Sequence, residues 1–230
     1  MSATAVVTGA GRGIGRAIAL ALAGRGLDVA LLGRTEPDLD DVARAILLAY
    51  PARRVLALPC DVASSAAVEV AASRVVDALG VPLVVVNNAG VVHRASIEET
   101  SEDAWDHVVD VNLKGPFLVT RAFRPAMRGK REGRFVQISS ISGTLGTPRL
   151  SAYCASKWGL IGFTKSLAEE LRESGLQALT VVPGSVDTEM LKGSGFPPQM
   201  TADDVATVVV YAALDAPAAM NGASLDVFGP

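Results

Sequence analysis

Short runs of β-branched and other apolar residues alternate along this chain with longer segments of helical composition. The strand-like runs begin at Thr4, Asp28, Arg54, Leu83, Arg134, Ala178 and Ala223. The helical segments begin near Gly13, Pro37, Ser64, Ser101, Ser151 and Thr201. Regular alternation is typical of an α/β fold in which helices cover both faces of a doubly wound sheet. Runs such as LVVV are apolar at every position, so about seven parallel strands, buried on both faces, are predicted.

Composition and charge limit the domain organisation and the class of ligand. The chain has 230 residues, of which 50% are hydrophobic, which is enough to bury one large core. It has no linker-like segment, so we expect a single domain over residues 1–230. The net charge of −3 is spread over interspersed acids and bases. Without a basic stripe, neither nucleic acid nor an anionic membrane is an expected partner, which leaves small molecules and copies of the chain itself.

The N-terminus and the cysteine content indicate where we expect the protein to work. The start, MSATAVVTGAG, lacks the charged and long apolar parts of a secretory signal. Apolar runs such as those within residues 205–214 are shorter than the roughly 18 residues that a bilayer span needs. Cys60 and Cys154 form no CxxC pattern, and His93 and His107 have no companion ligands. We therefore expect a cytoplasmic protein without a membrane span, a disulfide framework or a metal site.

The first strand-like run leads directly into a glycine-rich turn, TGAGRGIG, at residues 8–15. Glycines tolerate positive φ and let a ligand approach the backbone, and the N–H groups of a helix start attract anions. The turn therefore predicts a pyrophosphate-binding cradle, with a tight turn that binds nothing as the alternative. It lacks the Gly-Lys-Ser/Thr end of a Walker A loop, and the chain contains no GxSxG or SxxK motif of serine hydrolases.

The end of the second strand indicates which dinucleotide fits. An acidic residue there would accept hydrogen bonds from a ribose and repel a 2′-phosphate, but this chain has Gly33 and Arg34. Arg34 and Arg12 could make charge-assisted contacts to that phosphate, each worth roughly 1.5–3 kcal/mol. We therefore predict NADP(H) in preference to NAD(H). The alternative is that both arginines are solvated surface cations.

Tyr153 and Lys157 lie four residues apart in a segment, residues 150–173, that is predicted to be helical. They therefore share one helix face. An adjacent ammonium stabilises a phenolate, and lowering the tyrosine pKa by ~3 units corresponds to ~4 kcal/mol. We expect Lys157 to lower the pKa of Tyr153 in this way, with simple packing on an exposed helix face as the alternative.

The fifth and fourth strands end in polar or small residues, at the sheet edge where open α/β folds bind ligands: Ser139, Ser140, Ser142 and NNAG at residues 87–90.

In order and over nearly the whole chain, these motifs resemble those of the short-chain dehydrogenase/reductase family, whose fold is of the Rossmann type. TGAGRGIG resembles the family's TGxxxGxG turn, Asp61-Val62 its DV pair, NNAG its strand-four signature and YCASK, from Tyr153 to Lys157, its YxxxK. The resemblance implies the catalytic residues Ser140, Tyr153, Lys157 and Asn112. It implies the cofactor contacts Gly9, Gly11, Arg12, Gly13, Ile14, Gly15, Arg34, Asp61, Val62, Asn87, Ala89, Gly90, Tyr153, Lys157, Pro183, Gly184, Val186 and Thr188.

The resemblance also implies an activity, the NADP(H)-dependent reduction of a ketone, an aldehyde or a 3-oxoacyl thioester to an alcohol, or the reverse. Tyr153 is then the general acid/base, Ser140 hydrogen-bonds the carbonyl oxygen, Lys157 tunes Tyr153 and holds the ribose, and Asn112 supports a water relay. A homotetramer or homodimer through the helices around residues 101–128 and 151–173 is implied as well. A non-catalytic NADP(H)-binding redox sensor on the same fold is the alternative function.

The sequence leaves the substrate open. The segment after Thr188 is short and offers Met190, Leu191 and Phe196 as apolar substrate contacts. The chain is similar to 3-oxoacyl-acyl-carrier-protein reductases and to general carbonyl reductases. An acidic carrier protein would need a basic patch, for which the candidates are Arg121, Arg124, Arg128, Lys130 and Arg131. Simple solvation of a helix end explains these cations equally well.

Overall fold

Seven parallel strands form one sheet in the computed structural model, which describes residues 3–229. The strands are β1 (Thr4–Thr8), β2 (Asp28–Gly33), β3 (Val55–Pro59), β4 (Val84–Asn87), β5 (Gly133–Ile138), β6 (Leu176–Pro183) and β7 (Ser224–Val227). Their order across the sheet is β3-β2-β1-β4-β5-β6-β7, and every neighbouring pair is parallel. The fold class predicted from the alternating pattern is therefore confirmed.

Within residues 3–229, seven α-helices connect and cover the strands. They are α1 (Gly13–Gly24), α2 (Glu36–Ala49), α3 (Ser65–Leu79), α4 (Glu102–Val109), α5 (Gly115–Arg128), α6 (Ser151–Leu171) and α7 (Ala202–Val210). Three of the predicted starts fall one residue early because those residues, Ser64, Ser101 and Thr201, are N-caps whose side chains accept a backbone N–H from the first turn. In the described part of the chain, no helix is long and apolar enough to cross a membrane.

Two hydrophobic layers hold the helices on the two faces of the sheet. Helices α1, α2 and α7 cover one face, where residues such as Ile18, Val42 and Val205 are fully buried. Helices α3, α5 and α6 cover the other face with residues such as Phe123 and Leu171. Since successive strand side chains point to opposite faces, a strand buried on both sides must be apolar throughout. This requirement explains the uninterrupted apolar runs in the sequence.

A π-helical turn, Asp110–Lys114, separates α4 from α5. The sequence predicted one helical segment from Ser101 onward and gave no sign of this interruption. Such single π-turns widen a helix locally and are frequent at functional sites. Here the turn carries Asn112, whose side chain is fully buried.

The strand order places a topological switch point between β1 and β4. From β1, the chain proceeds to β2 and β3 on one side, and then returns to β4 and continues to β7 on the other. The connecting helices therefore leave a crevice between them outside the carboxyl ends of β1 and β4, which is where open α/β sheets bind ligands.

Candidate active site

A cleft of about 460 Å³ lies at this switch point. Most of the sequence-predicted cofactor residues line it: Gly9, Gly11, Arg12, Gly13, Ile14, Gly15, Arg34, Asp61, Val62, Ala89, Gly90, Tyr153, Lys157 and Thr188. The lining also contains residues that the sequence analysis did not single out as ligand contacts, among them Thr35, Asp38, Asn88, Val92 and Glu189. The cleft thus joins the glycine turn at one end to the Tyr153–Lys157 pair at the other.

The glycine turn leaves room for a ligand because it has no side chains where its backbone comes closest to the neighbouring segments of the chain. Gly9 and Gly13 have φ of 63° and 52°, a conformation that favours glycine. A Cβ at Gly11 would lie 2.7 Å from the Cβ of Asp38, and one at Gly15 would strike the carbonyl oxygen of Gly9. The N–H groups of the first turn of α1, which have no partners within the helix, border this space. The residues present therefore fit the pyrophosphate of a dinucleotide.

Asn88 holds the glycine turn to the end of β4. Its Nδ2 donates to the carbonyl oxygens of Thr8 and Gly9 at 3.0 and 3.2 Å. The neighbouring Asn87 was predicted to contact the cofactor, but its side chain points to the opposite side, where it is buried and Nδ2 donates to Thr120 at 3.3 Å. As the last residue of β4, Asn87 points toward α5, so the asparagine that reaches the cleft is Asn88.

Lys157 is almost fully buried at the floor of the cleft, with 4% of its surface exposed. Its Nζ donates to the carbonyl oxygen of Ile138 at 2.8 Å and lies 5.7 Å from the centre of the Tyr153 ring. Burial, which disfavours the charged form, lowers the pKa of Lys157 to about 8. The lysine thus titrates much closer to neutrality than an exposed one.

Tyr153 is also buried, with 9% of its surface exposed. Burial raises its pKa, while Ser140 and the charge of Arg94 favour the phenolate and act in the opposite direction. The i, i+4 spacing predicted that Lys157 lowers this pKa, and the structure corrects that prediction. Desolvation outweighs the favourable interactions, and the ammonium of Lys157 lies beside the ring and bonds to a backbone carbonyl.

The three serines after β5 have different surroundings. Ser139 lines the cleft and donates to the carbonyl oxygen of Lys157 at 3.0 Å. The Ser140 hydroxyl accepts from the N–H of Ser142 at 3.2 Å and interacts with Tyr153, whereas Ser142 bonds with Thr147 at 3.1 Å. Of the three, Ser140 is therefore the serine that interacts with Tyr153.

Asn112 fixes the chain that follows β4. Its Oδ1 accepts from the N–H of Val91 at 2.8 Å, and its Nδ2 donates to Val91 O at 2.9 Å and to Ser156 Oγ at 3.1 Å. A Cβ at Gly90 would lie 3.4 Å from Asn112 Oδ1 and 3.7 Å from Lys157 Nζ. Asn112 and Lys157 therefore approach each other across the backbone of Gly90.

The PGxxxT segment after β6 reaches the cleft only at its end. Pro183 is the last residue of β6, and the N–H of Gly184 bonds to the carbonyl oxygen of Val227 at 2.8 Å. Val186 is buried and pairs with Met200 in an isolated bridge. These three residues therefore hold the segment in place, while Thr188 borders the cleft opposite Gly13.

A doubly wound parallel sheet with a glycine cradle and a buried tyrosine–lysine pair at its switch point defines the class of protein, a dinucleotide-binding oxidoreductase. The family model described as short chain dehydrogenase matches residues 3–196. The chain belongs to the short-chain dehydrogenase family, whose members bind nicotinamide cofactors.

Individual relatives agree over almost the entire chain. It is 35% identical over 228 residues to the NADPH-dependent pterin aldehyde reductase of Arabidopsis thaliana, and the alignment covers 97% of this chain and 93% of that protein. It is 32% identical over 237 residues to the 3-oxoacyl-(acyl-carrier-protein) reductase FabG of Escherichia coli, with 98% and 95% covered. The crystal structure of levodione reductase superposes with a TM-score of 0.93 at 27% identity, covering 98% of this chain and 95% of that one.

Proposed function

We propose that this protein is an NADP(H)-dependent reductase that converts a carbonyl group into an alcohol with Tyr153 as the general acid. The observation that carries the proposal is the position of the buried Tyr153, which lines the dinucleotide cleft together with Lys157 and interacts with Ser140. A proton donor, a hydrogen-bond donor for an oxygen and a cation are thus gathered at one end of a site that fits a redox cofactor.

Reduction requires a proton donor that is protonated in the resting site. Burial raises the pKa of Tyr153, so its phenol carries a proton at neutral pH. The nicotinamide of the cofactor supplies the hydride when it is bound. As negative charge develops on the carbonyl oxygen, the Ser140 hydroxyl donates a hydrogen bond to it and Tyr153 transfers its proton.

Lys157 places a buried ammonium at the floor of the cleft, 5.7 Å from the centre of the Tyr153 ring. With a pKa of about 8, it is still charged near neutrality, and its ammonium also has donors for the ribose hydroxyls of the cofactor. Asn112 acts through Val91 and Ser156, so that it keeps the wall of the cleft in position beside Lys157 and supports the water relay that returns the proton.

The preference for NADP(H) rests on Arg34 and Arg12. Both are exposed and line the cleft, Arg34 directly after β2 and Arg12 in the glycine turn after β1, and neither has a carboxylate within ion-pair distance among residues 3–229. They are therefore available for a 2′-phosphate. Asp38, in the first turn of α2, lines the same end of the cleft, and its charge opposes that phosphate in part.

The charge distribution around α5 favours a small carbonyl substrate over an acyl thioester on an acidic carrier protein. Arg121 lies 3.4 Å from Glu69 and its guanidinium stacks over Phe117 at 5.3 Å. Arg124 lies 4.0 Å from Glu170. Two members of the candidate basic patch are thus matched with acids, which reduces the positive charge available to an acidic carrier. Of the apolar substrate contacts expected from the sequence, Met190 lines the cleft.

A dimer or tetramer through α5 and α6 forms part of the proposal. Phe117 on α5 and Trp158 on α6 are 43% and 54% exposed, and large exposed side chains of this kind are enriched at interfaces. Sedimentation analysis of the wild type and of Trp158→Arg tests it. We expect the variant to dissociate toward the monomer, and a monomeric wild type would contradict the proposal.

The activity is tested with a panel of ketones, aldehydes and an acyl thioester, following the absorbance of reduced nicotinamide with NADPH and with NADH. We expect turnover with NADPH, and we expect Tyr153→Phe to abolish most of it while NADPH still binds. An unimpaired rate in the variant would refute the role of Tyr153. Tight NADPH binding by the wild type without turnover of any compound would favour the redox sensor.

A further inference from the structure

Arg94 is a cation in contact with Met190, a residue that lines the cleft, and the proposed reaction does not use it. Its guanidinium Nη2 donates to the carbonyl oxygen of Met190 at 2.6 Å, and Met190 lines the cleft together with Tyr153. The charge of Arg94 also acts on the phenol of Tyr153. The arginine therefore joins the loop after β4 to the segment after Thr188, at the side of the cleft that Met190 lines.

No acidic side chain neutralises Arg94 in the described part of the chain, residues 3–229, where its only hydrogen bond is the one to Met190. Glu189, the neighbour of Met190, is paired with Lys192 at 2.6 Å. Glu99, on the same loop as Arg94, is paired with Arg149 at 3.3 Å. The nearby acids are thus already matched, and Arg94 contributes an uncompensated positive charge.

The backbone on both sides of Arg94 is held in place. Both the N–H and the carbonyl of Val91 bond to Asn112, and the N–H of the buried Ala95 donates to Arg149 O at 3.1 Å. Arg94 itself is half-buried. Anchored loops of this kind present a side chain in one position, and a guanidinium has five N–H donors, of which Met190 uses one.

We infer that Arg94 determines substrate specificity by binding an anionic group, a carboxylate, on the carbonyl compound that is reduced. A planar guanidinium with free donors matches the geometry of a carboxylate. The inference rests on the proposed carbonyl reduction and adds the substrate class, which is oxo acids. A neutral ketone would leave Arg94 unmatched, whereas an oxo acid would pair with it while its carbonyl faces Tyr153.

The test compares oxo acids with their methyl esters, which have the same carbonyl but no charge. The probes are 2-oxobutanoate, 3-oxobutanoate and 4-oxopentanoate, each beside its methyl ester, with NADPH as the cofactor. For the acid whose length fits, we expect the ratio of kcat/KM for acid over ester to fall about 10-fold or more in Arg94→Gln. Arg94→Lys should retain part of the ratio because it keeps the charge but loses the planar fork.

Arg149→Gln is the matched control because it removes an equal charge from the adjoining segment, where that charge is already paired with Glu99. We expect it to leave the acid-to-ester ratio unchanged. Equal losses for acids and esters in Arg94→Gln would overturn the inference and indicate that Arg94 only fastens Met190. An equal fall of the ratio in both variants would also overturn it, since the effect would then be one of net charge.

Calorimetric binding of the same acids and esters to the protein with NADP⁺ separates this inference from the proposed function. A preference of the wild type for acids that Arg94→Gln loses supports the anion site even if no compound is turned over, and in that case only the catalytic proposal fails. Turnover of acids and esters with a ratio that Arg94→Gln does not alter supports carbonyl reduction and refutes the anion site.

Discussion

The hydroxyl of Thr8 accepts a hydrogen bond from the backbone N–H of Ala89 at 3.0 Å. The same oxygen accepts from the N–H of Asn88 at 3.0 Å and donates to the carbonyl of Val86 at 3.4 Å. Thr8 is the last residue of β1, and Ala89 follows β4, so one buried hydroxyl joins the two strand ends that define the cleft. The Thr8 side chain thereby replaces the backbone hydrogen bonds that are lost where β1 and β4 separate.

We expect Thr8→Val to be destabilising although it preserves the size and shape of the side chain. The valine leaves the N–H groups of Asn88 and Ala89 without their acceptor, which costs about 2–4 kcal/mol in free energy of unfolding. Thr8→Ser keeps the hydroxyl and should cost only about 1 kcal/mol for its lost methyl group. Urea unfolding of the two variants and the wild type measures the difference. Equal stabilities of the valine and serine variants would show that the bonds contribute little.

Two glycines in different settings predict opposite effects of the same substitution. A Cβ at Gly15 would strike the carbonyl oxygen of Gly9 and lie 2.5 Å from Asn88 Nδ2, so Gly15→Ala must displace the cradle. We expect a loss of about 1–3 kcal/mol in stability together with weaker NADPH binding. Apart from its chain neighbours and the backbone of its own helix, Gly162 in α6 has no described atom within 4 Å of its Cβ position, and Gly162→Ala should stabilise by about 0.5–1 kcal/mol.

Thermal unfolding with and without NADPH measures both effects of the alanine substitutions. The Gly15 variant should melt at a lower temperature and show a smaller shift with NADPH than the wild type, while the Gly162 variant should melt at a higher temperature with an unchanged shift. A Gly15 variant that binds NADPH as tightly as the wild type would contradict the role of this turn as the pyrophosphate cradle.

The charges at the end of β2 predict the cofactor preference of single variants. Arg34→Gln should weaken NADPH about 10- to 150-fold and leave NADH almost unaffected, since only NADPH carries the 2′-phosphate. Asp38→Asn removes the opposing carboxylate from the same end of the cleft and should strengthen NADPH by about 1 kcal/mol or less. Fluorescence titration of the wild type and both variants with both cofactors gives the six dissociation constants. A parallel change for NADPH and NADH in Arg34→Gln would exclude a phosphate contact.

The sequence was sufficient where a function depends on residues that are close along the chain. The glycine turn and the Tyr153–Lys157 pair fall in continuous stretches with a fixed spacing, and the structure places both at the cleft. Which asparagine of NNAG faces the cleft could not be read from the motif, because it depends on which residue ends β4. Likewise, the contact between Arg94 and Met190 joins segments 96 positions apart, which no local pattern reveals.

Burial was the other property that spacing could not supply. A tyrosine and a lysine at i and i+4 share a helix face whether that face is exposed to solvent or buried. Their spacing therefore predicts only the effect of one charge on the other. In the folded chain both side chains are buried, and desolvation decides the direction of both pKa shifts. The pKa of Lys157, about 8, therefore lies close to neutral pH, whereas the raised pKa of Tyr153 keeps its phenol protonated.

The lowered pKa of Lys157 predicts how stability depends on pH. An exposed lysine has its pKa near 10.5, whereas the buried Lys157 has a pKa of about 8. Between these values, the unfolded chain binds more protons at this residue than the folded chain, so stability rises with pH. Relative to Lys157→Met, which cannot titrate, the wild type should therefore gain about 3 kcal/mol between pH 8 and pH 10.5.

Urea unfolding of the wild type and of Lys157→Met across this pH range measures that gain as the change in their stability difference. Lys165→Met is the matched control, since Lys165 lies on the same helix but is exposed, and its stability difference from the wild type should change far less with pH than that of Lys157→Met. Tyr153 is present in all three proteins, so its own titration does not by itself create a difference between them. A difference between the wild type and Lys157→Met that does not change with pH would mean that Lys157 is solvated and keeps an ordinary pKa, and its ammonium would then be no more sensitive to pH than a surface charge.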